Sequence, residues 1–173
     1  RPRDSGLGSP SGDRSLPHTV DDCGRKTIHS GVPRSIWHSA HTTGMANTPL
    51  LVAIVDDDEA VRISLRRLCS AYGLTPRTFA SVRQLLDSME ERRPDCLILD
   101  AQMPELGAIE AQEQLRERGI DIPAIIITGR DDEELRARSM SSGAAAFLCK
   151  PIDADVLMTA IDDAINRAPG VEE

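Results

Sequence analysis

Five short apolar runs dominate the chain between residues 50 and 149, and each is followed by a stretch with helical spacing. The runs are Leu50–Val55, Leu74–Phe79, Cys96–Leu99, Pro123–Thr128 and Ala145–Cys149. Apolar runs of four to six residues suit strands buried on both faces. After the first run, Val61, Leu65, Leu68 and Tyr72 mark one face of a helix that Gly73 ends. Ser81 with Gln84 forms a capping box, and Val82, Leu85, Leu86 and Met89 stripe the helix that follows until Pro94 breaks it. The third helix is expected over 109–118, closed by Gly119. The fourth starts at Asp131 with Glu134 and ends at Gly143. The last runs from Asp153 to Ala168, with Leu157, Ile161, Ala164 and Ala168 inward. Such alternation means βαβ crossovers, so the expected fold is α/β: a doubly wound, five-stranded parallel sheet with five helices. In such sheets the active groups gather at the carboxyl ends of the strands.

Those ends carry an unusual set. The first strand runs into Asp56 and Asp57, the third into Asp100, the fourth into Thr128, and the fifth stops just before Lys150–Pro151. Asp58 and Glu59 are explained by a helix N-terminus, which welcomes anions. Asp56 is not, because it directly follows the buried Val55. Lys150 stands out on composition: from residue 49 onward the basic residues are 13 Arg and this single Lys. An ammonium is a compact point charge that reaches one oxygen without a planar fork, and a buried one needs acidic partners.

Three gathered carboxylates require a cation, and carboxylates with a backbone carbonyl and water suit Mg²⁺. A carboxylate can also act as a nucleophile toward phosphorus. Phosphoryl transfer then asks mainly for positioning and charge neutralisation, which Mg²⁺, Lys150, the Thr128 hydroxyl and nearby amides can supply. There is no Gly-rich phosphate loop, and all four His precede residue 49.

The segments "VDDDEAVR", "LILDAQMP", "IIITG" and "FLCKP" resemble, in order and spacing, the signatures of response-regulator receiver domains, especially the FixJ type. The likeness covers about residues 49–168 and implies a flavodoxin-like (CheY-like) receiver fold. It implies that Asp100 is the phosphoacceptor, charged by a sensor histidine kinase or a phosphotransfer protein. Asp56, Asp57, Asp100 and the Gln102 backbone carbonyl would hold Mg²⁺. Thr128 and Lys150 would meet the phosphoryl group, Phe147 would be the aromatic switch, and Lys150–Pro151 would be cis. Gln102 and Arg130 would tune dephosphorylation. The domain would be no enzyme beyond Mg²⁺-dependent autophosphorylation and autodephosphorylation. A phosphorylated receiver would pair through the face of its fourth helix, fifth strand and fifth helix. The motif "MPELGAIE" departs from the family, placing Gly107 one residue before the usual glycine. Two rival readings are a phosphorylation-independent scaffold receiver and an aspartate-nucleophile phosphatase of the haloacid dehalogenase type.

The rest of the chain reads differently. Residues 1–48 carry six basic and four acidic residues, against 14 basic and 24 acidic in the remainder. Rich in Gly, Ser, Pro and Arg and lacking periodicity, they are expected to be a disordered tail. Met45 looks like a natural start, so residues 1–44 are read as an upstream extension or the result of a misassigned start, outside the native protein. The spacing of Cys23, His29, His38 and His41 matches no zinc pattern. Residues 169–173 form a short C-terminal tail, which suggests either a stand-alone receiver or a piece of a FixJ-type transcription regulator. A net charge of -8 argues against nucleic-acid or anionic-membrane binding by the domain itself. Cys69, Cys96 and Cys149 sit in apolar, periodic surroundings and are expected to be buried, reduced thiols of a cytoplasmic protein.

Overall fold

The computed structural model describes residues 49–104 and 106–167, together with two short strands nearer the N-terminus. The chain divides into two compact units, Arg1–Ser30 and Gly31–Glu173. In the first, Thr19–Val20 pairs antiparallel with Lys26–Thr27. The disorder expected of residues 1–48, the start at Met45, and Cys23, His29, His38 and His41 otherwise lie outside the described residues, as do residues 168–173.

In the second unit the strands are β1 (Leu51–Val55), β2 (Thr75–Phe79), β3 (Cys96–Asp100), β4 (Ala124–Thr128) and β5 (Ala146–Cys149). The helices are α1 (Glu59–Ala71), α2 (Val82–Asp87), α3 (Ala108–Glu117), α4 (Glu133–Ser141) and α5 (Ala154–Arg167). All strands pair in parallel in the order β2-β1-β3-β4-β5. The chain leaves β1 toward β2 and returns past it to β3. The connections after β1 and β3 therefore diverge and open a crevice between their carboxyl ends. Among the described residues no helix is long and apolar enough to cross a membrane.

Strand alternation sorts the core into two layers. Val52, Ile54, Ile98, Ile125 and Ile127 face α1 and α5, where they meet Leu65, Leu157 and Ile161. Ala53, Val55, Leu97, Leu99 and Ile126 face the other way, onto Leu85, Leu86, Ala111 and Leu115 of α2 and α3. Residues of β1, β3 and β4 are buried along their whole length, which accounts for their unbroken apolar character. The edge strand β2, "TPRTF", is partly exposed and tolerates Pro76. Cys69 and Cys96 are fully buried, and burial lifts their thiols to about 11 and about 12. Cys149 is only half-buried, because β5 is the other edge of the sheet.

The expected helix ends shift in instructive ways. Asp58 caps α1 by accepting from the Ala60 amide at 2.8 Å. The Ser81 hydroxyl accepts from Gln84 N, but Gln84 Oε1 reaches Ala80 N at 2.9 Å rather than the Ser81 amide. The helix α2 tightens into a 3₁₀ turn at Ser88–Glu90, well before Pro94, with the Ser88 hydroxyl donating to the Leu85 carbonyl at 2.7 Å. The cap of α4 is Asp132, not Asp131: Asp132 Oδ1 accepts from Leu135 N at 3.0 Å, while Asp131 turns toward Arg136.

Two glycines lie against side chains of α3. Gly107 has φ -70, an ordinary value, and serves as the N-cap of α3, with the flexible Glu110 carboxylate over the space of its missing Cβ. Gly143 follows α4 at φ +87, where an L side chain is strained, and Arg116 covers it. Gly107→Ala should therefore change urea-unfolding stability by less than about 0.5 kcal/mol, and Gly143→Ala should cost about 1–2 kcal/mol.

Candidate functional site

The crevice at the β1 and β3 ends collects the residues the sequence singles out. Asp56 leaves β1 on the same side as Ile54 and is fully buried. Its Oδ1 accepts from the Asp58 amide at 2.9 Å, and its backbone amide donates to the Phe79 carbonyl at 3.2 Å. Asp57, one residue further on, is exposed. Asp100 is the last residue of β3 rather than the first of the turn, and it is 4 % exposed. Carboxylate oxygens of Asp56, Asp57 and Asp100 lie within 4.8 Å of one another. Asp57 also borders a cavity of about 660 Å³ between α2 and α3, lined by Ser81, Arg83, Met103 and Arg118 among others.

Lys150 joins this group from the end of β5. Its Nζ donates to Asp56 Oδ2 at 2.7 Å and to Asp100 Oδ1 at 3.1 Å. Its backbone amide donates to the Thr128 carbonyl at 2.7 Å, which ties the β5 exit to the β4 exit. The Lys150–Pro151 peptide is cis. Thr128 is fully buried, and its hydroxyl accepts from the Arg130 amide at 3.2 Å. The Gln102 amide donates to Asp100 Oδ2 at 3.3 Å. The Gln102 and Arg130 side chains are exposed at the rim, where Gln102 comes close to Gly129.

Phe147 lies outside the acid cluster. It is two residues before the β5 position that pairs with Thr128, and it is buried in the layer of α2 and α3. The Arg136 guanidinium stands 4.9 Å from the centre of its ring. Arg136 also lies 4.0 Å from Asp131 and 3.7 Å from Glu133. Sequence reasoning missed Arg136, because nothing local to α4 announces a stacking partner on β5. It also missed Arg62, although "VDDDEAVR" contains it. Arg62 Nη1 donates to the Asp56 and Asp57 carbonyls at 2.7 and 2.9 Å.

The electrostatics follow from this packing. Burial pushes the Asp100 pKa up and the Asp56 charge adds to the rise; the Lys150 bonds and the Gln102 amide oppose it without reversing it. Burial works against the Lys150 charge, but the hydrogen bonds to Asp56 and Asp100 outweigh it and hold its pKa above the ordinary lysine value. Three carboxylates and one ammonium leave two negative charges uncompensated. That donor set fits one divalent cation of the hard, oxygen-preferring kind.

A raised Asp100 pKa means that the fold binds this proton more tightly than the unfolded chain does. Its stabilising contribution is complete below the unfolded value of about 3.9 and is lost as pH rises through the folded value. In chelator at pH 7, Asp100→Asn should therefore melt higher than the wild type, and the gap should close as pH falls toward 4. Lys150 contributes stability at every pH below its unfolded value of about 10.4, and this is lost as pH rises through its higher folded value. Lys150→Met should cost roughly 3 kcal/mol at pH 7, read by urea unfolding, because it strands Asp56.

Comparison with known proteins identifies the family. The model of the response regulator receiver domain matches residues 52–162. The response regulator protein TodT of Pseudomonas putida is 35% identical over 125 residues, covering 72% of this chain and 55% of TodT. Nodulation protein W of Bradyrhizobium diazoefficiens is 37% identical over 131 residues, 76% of this chain and 58% of that protein. The chain thus spans a little over half the length of these curated relatives. The crystal structure of FixJ-N superposes with a TM-score of 0.66 at 31% identity, covering 72% of this chain and 99% of that one. Full-length FixJ from B. japonicum gives 0.66 at 32% identity, covering 70% of this chain and 60% of that one. The chain belongs to the response-regulator receiver domain family, whose general function is phosphorylation-dependent switching in two-component signalling.

Proposed function

We propose that this receiver accepts a phosphoryl group on Asp100 from a sensor histidine kinase or a phosphotransfer protein and then regulates a partner or output. Receiver domains of response regulators are phosphorylated by histidine kinases. The observation that carries the residue assignment is the Lys150 ammonium bridging Asp56 and Asp100 at the strand ends. An Asp100 oxygen attacks phosphorus as the bond from phosphorus to the donor's leaving group breaks. Lys150, already bonded to Asp100 Oδ1, shifts its attraction onto the incoming phosphoryl oxygens. Asp56, Asp57, Asp100 and the Gln102 carbonyl would hold Mg²⁺, which when bound neutralises charge on the transferring group. No other enzymatic step is assigned to the chain.

The switch begins at Thr128. Its hydroxyl leaves the Arg130 amide for a phosphoryl oxygen and draws the β4–α4 connection with it. Phe147, already buried beneath Arg136, then repacks toward the space Thr128 vacates, and the α4–β5–α5 face is remade for pairing with a second receiver or a target. Gln102 and Arg130 flank the path of water to Asp100 and set how long the phosphoryl group survives.

Beryllofluoride with Mg²⁺, a stable mimic of the phosphorylated state, should shift NMR signals of Thr128, Phe147 and α4 in the wild type. Thr128→Ala should still bind the mimic but lose most of the Phe147 shift. Phosphorylation from a small acyl phosphate should vanish in Asp100→Asn. Undiminished phosphorylation of that variant, or a wild type unmoved by the mimic, would refute the assignment and leave the scaffold reading.

A further inference from the structure

We infer that Arg62 is a positioning residue that aims the Asp57 carboxylate at the cation site, an inference that rests on reading the acid cluster as that site. Asp56 is fixed by burial, by its Asp58 amide bond and by Lys150. Asp100 is fixed by β3 pairing, Lys150 and the Gln102 amide. Asp57 is exposed, so packing does not hold it. What holds it is backbone. The peptide units on either side of Asp57 are planar. Arg62 Nη1 pins the carbonyl of each, the Asp56 oxygen at 2.7 Å and the Asp57 oxygen at 2.9 Å. The relative tilt of those two planes sets φ and ψ of Asp57 and hence the direction of its Cβ.

The sequence position makes this reach possible. Arg62 is the fourth residue of α1, and helical side chains lean toward the helix N-terminus. The guanidinium therefore folds back over the turn between β1 and α1. A cation near that end opposes the helix dipole, so local preference does not account for it. Both of these bonds go to backbone oxygens, and the carboxylates remain available to a metal ion.

The two possible roles of Arg62 predict opposite signs. A cation near the site repels Mg²⁺, so if charge were its whole effect, removing it would tighten Mg²⁺ binding. If Arg62 positions Asp57, removing it weakens binding, by about 10- to 100-fold if it behaves as outer-shell partners of metal ligands do. The test is calorimetric titration of the full chain with Mg²⁺ alone, comparing wild type with Arg62→Gln and Arg62→Lys, with melts in chelator to establish that each is folded. A folded Arg62→Gln with at least about tenfold weaker Mg²⁺ binding supports the inference. Equal or tighter binding overturns it. Should Arg62→Gln fail to fold, Arg62→Lys decides, because its charge is retained and any loss is geometric: weakened binding supports the inference, and unchanged or tighter binding overturns it. A wild type that does not bind Mg²⁺ refutes the cation-site reading itself, an outcome distinct from the others.

Discussion

One ammonium holds the working edge of this sheet together. Lys150 follows β5, yet its Nζ sits on carboxylates that end β1 and β3. With strands about 4.8 Å apart, β5 lies roughly 10 Å from β3, and the side chain must cross the end of β4 to arrive. This explains the tie between the two strand exits, where the Thr128 carbonyl accepts from the Lys150 amide. It also explains why a domain with 13 Arg keeps one Lys. A narrow four-carbon stem ending in a point charge fits between two carboxylates on different strands, whereas a planar guanidinium would impose its own fork. Breaking this contact would leave Asp56 charged, buried and poorly paired.

The strand order makes the contact possible. β1 and β3 are neighbours although β2 separates them in sequence, and only that arrangement brings Asp56 and Asp57 beside Asp100. The two apolar layers enforce it. Each inner strand offers alternate residues to α1 and α5 on one side and to α2 and α3 on the other, so a slip of one residue would turn both faces out of register. Asp56 continues the alternation one step past Val55 and is buried for that reason.

Much of this was legible because the pattern is periodic. Runs such as "LLVAIV" and "PAIIIT" place their strands to within about a residue, and the placement of Asp58 and Glu59 at the start of α1 follows from capping chemistry alone. The errors lie where two local solutions compete. Asp131 and Asp132 can each cap α4, and the choice falls to Arg136, which draws Asp131 away. Gln84 can bond the amide of Ser81 or of Ala80, and nothing in four residues distinguishes them. Arg62 escaped because its partners are carbonyls, which every residue has. Arg136 over Phe147 escaped because the pair belongs to different elements. The rules read from spacing describe elements, and these contacts run between them.

The attachment of α4 sets it apart from the other helices. Its only fully buried residue is Ser139, whose hydroxyl finds no partner among the described residues, and its apolar Met140 is exposed. Leu135 is half-buried, and Arg136 lies over the Phe147 ring of β5. Little apolar surface is therefore lost when α4 shifts, so its local opening costs a small part of the free energy needed to unfold the sheet. A perturbation worth only a few kcal/mol can move this helix while the strands beneath it stay fixed. The domain thus joins a stiff frame to a loosely sprung lever.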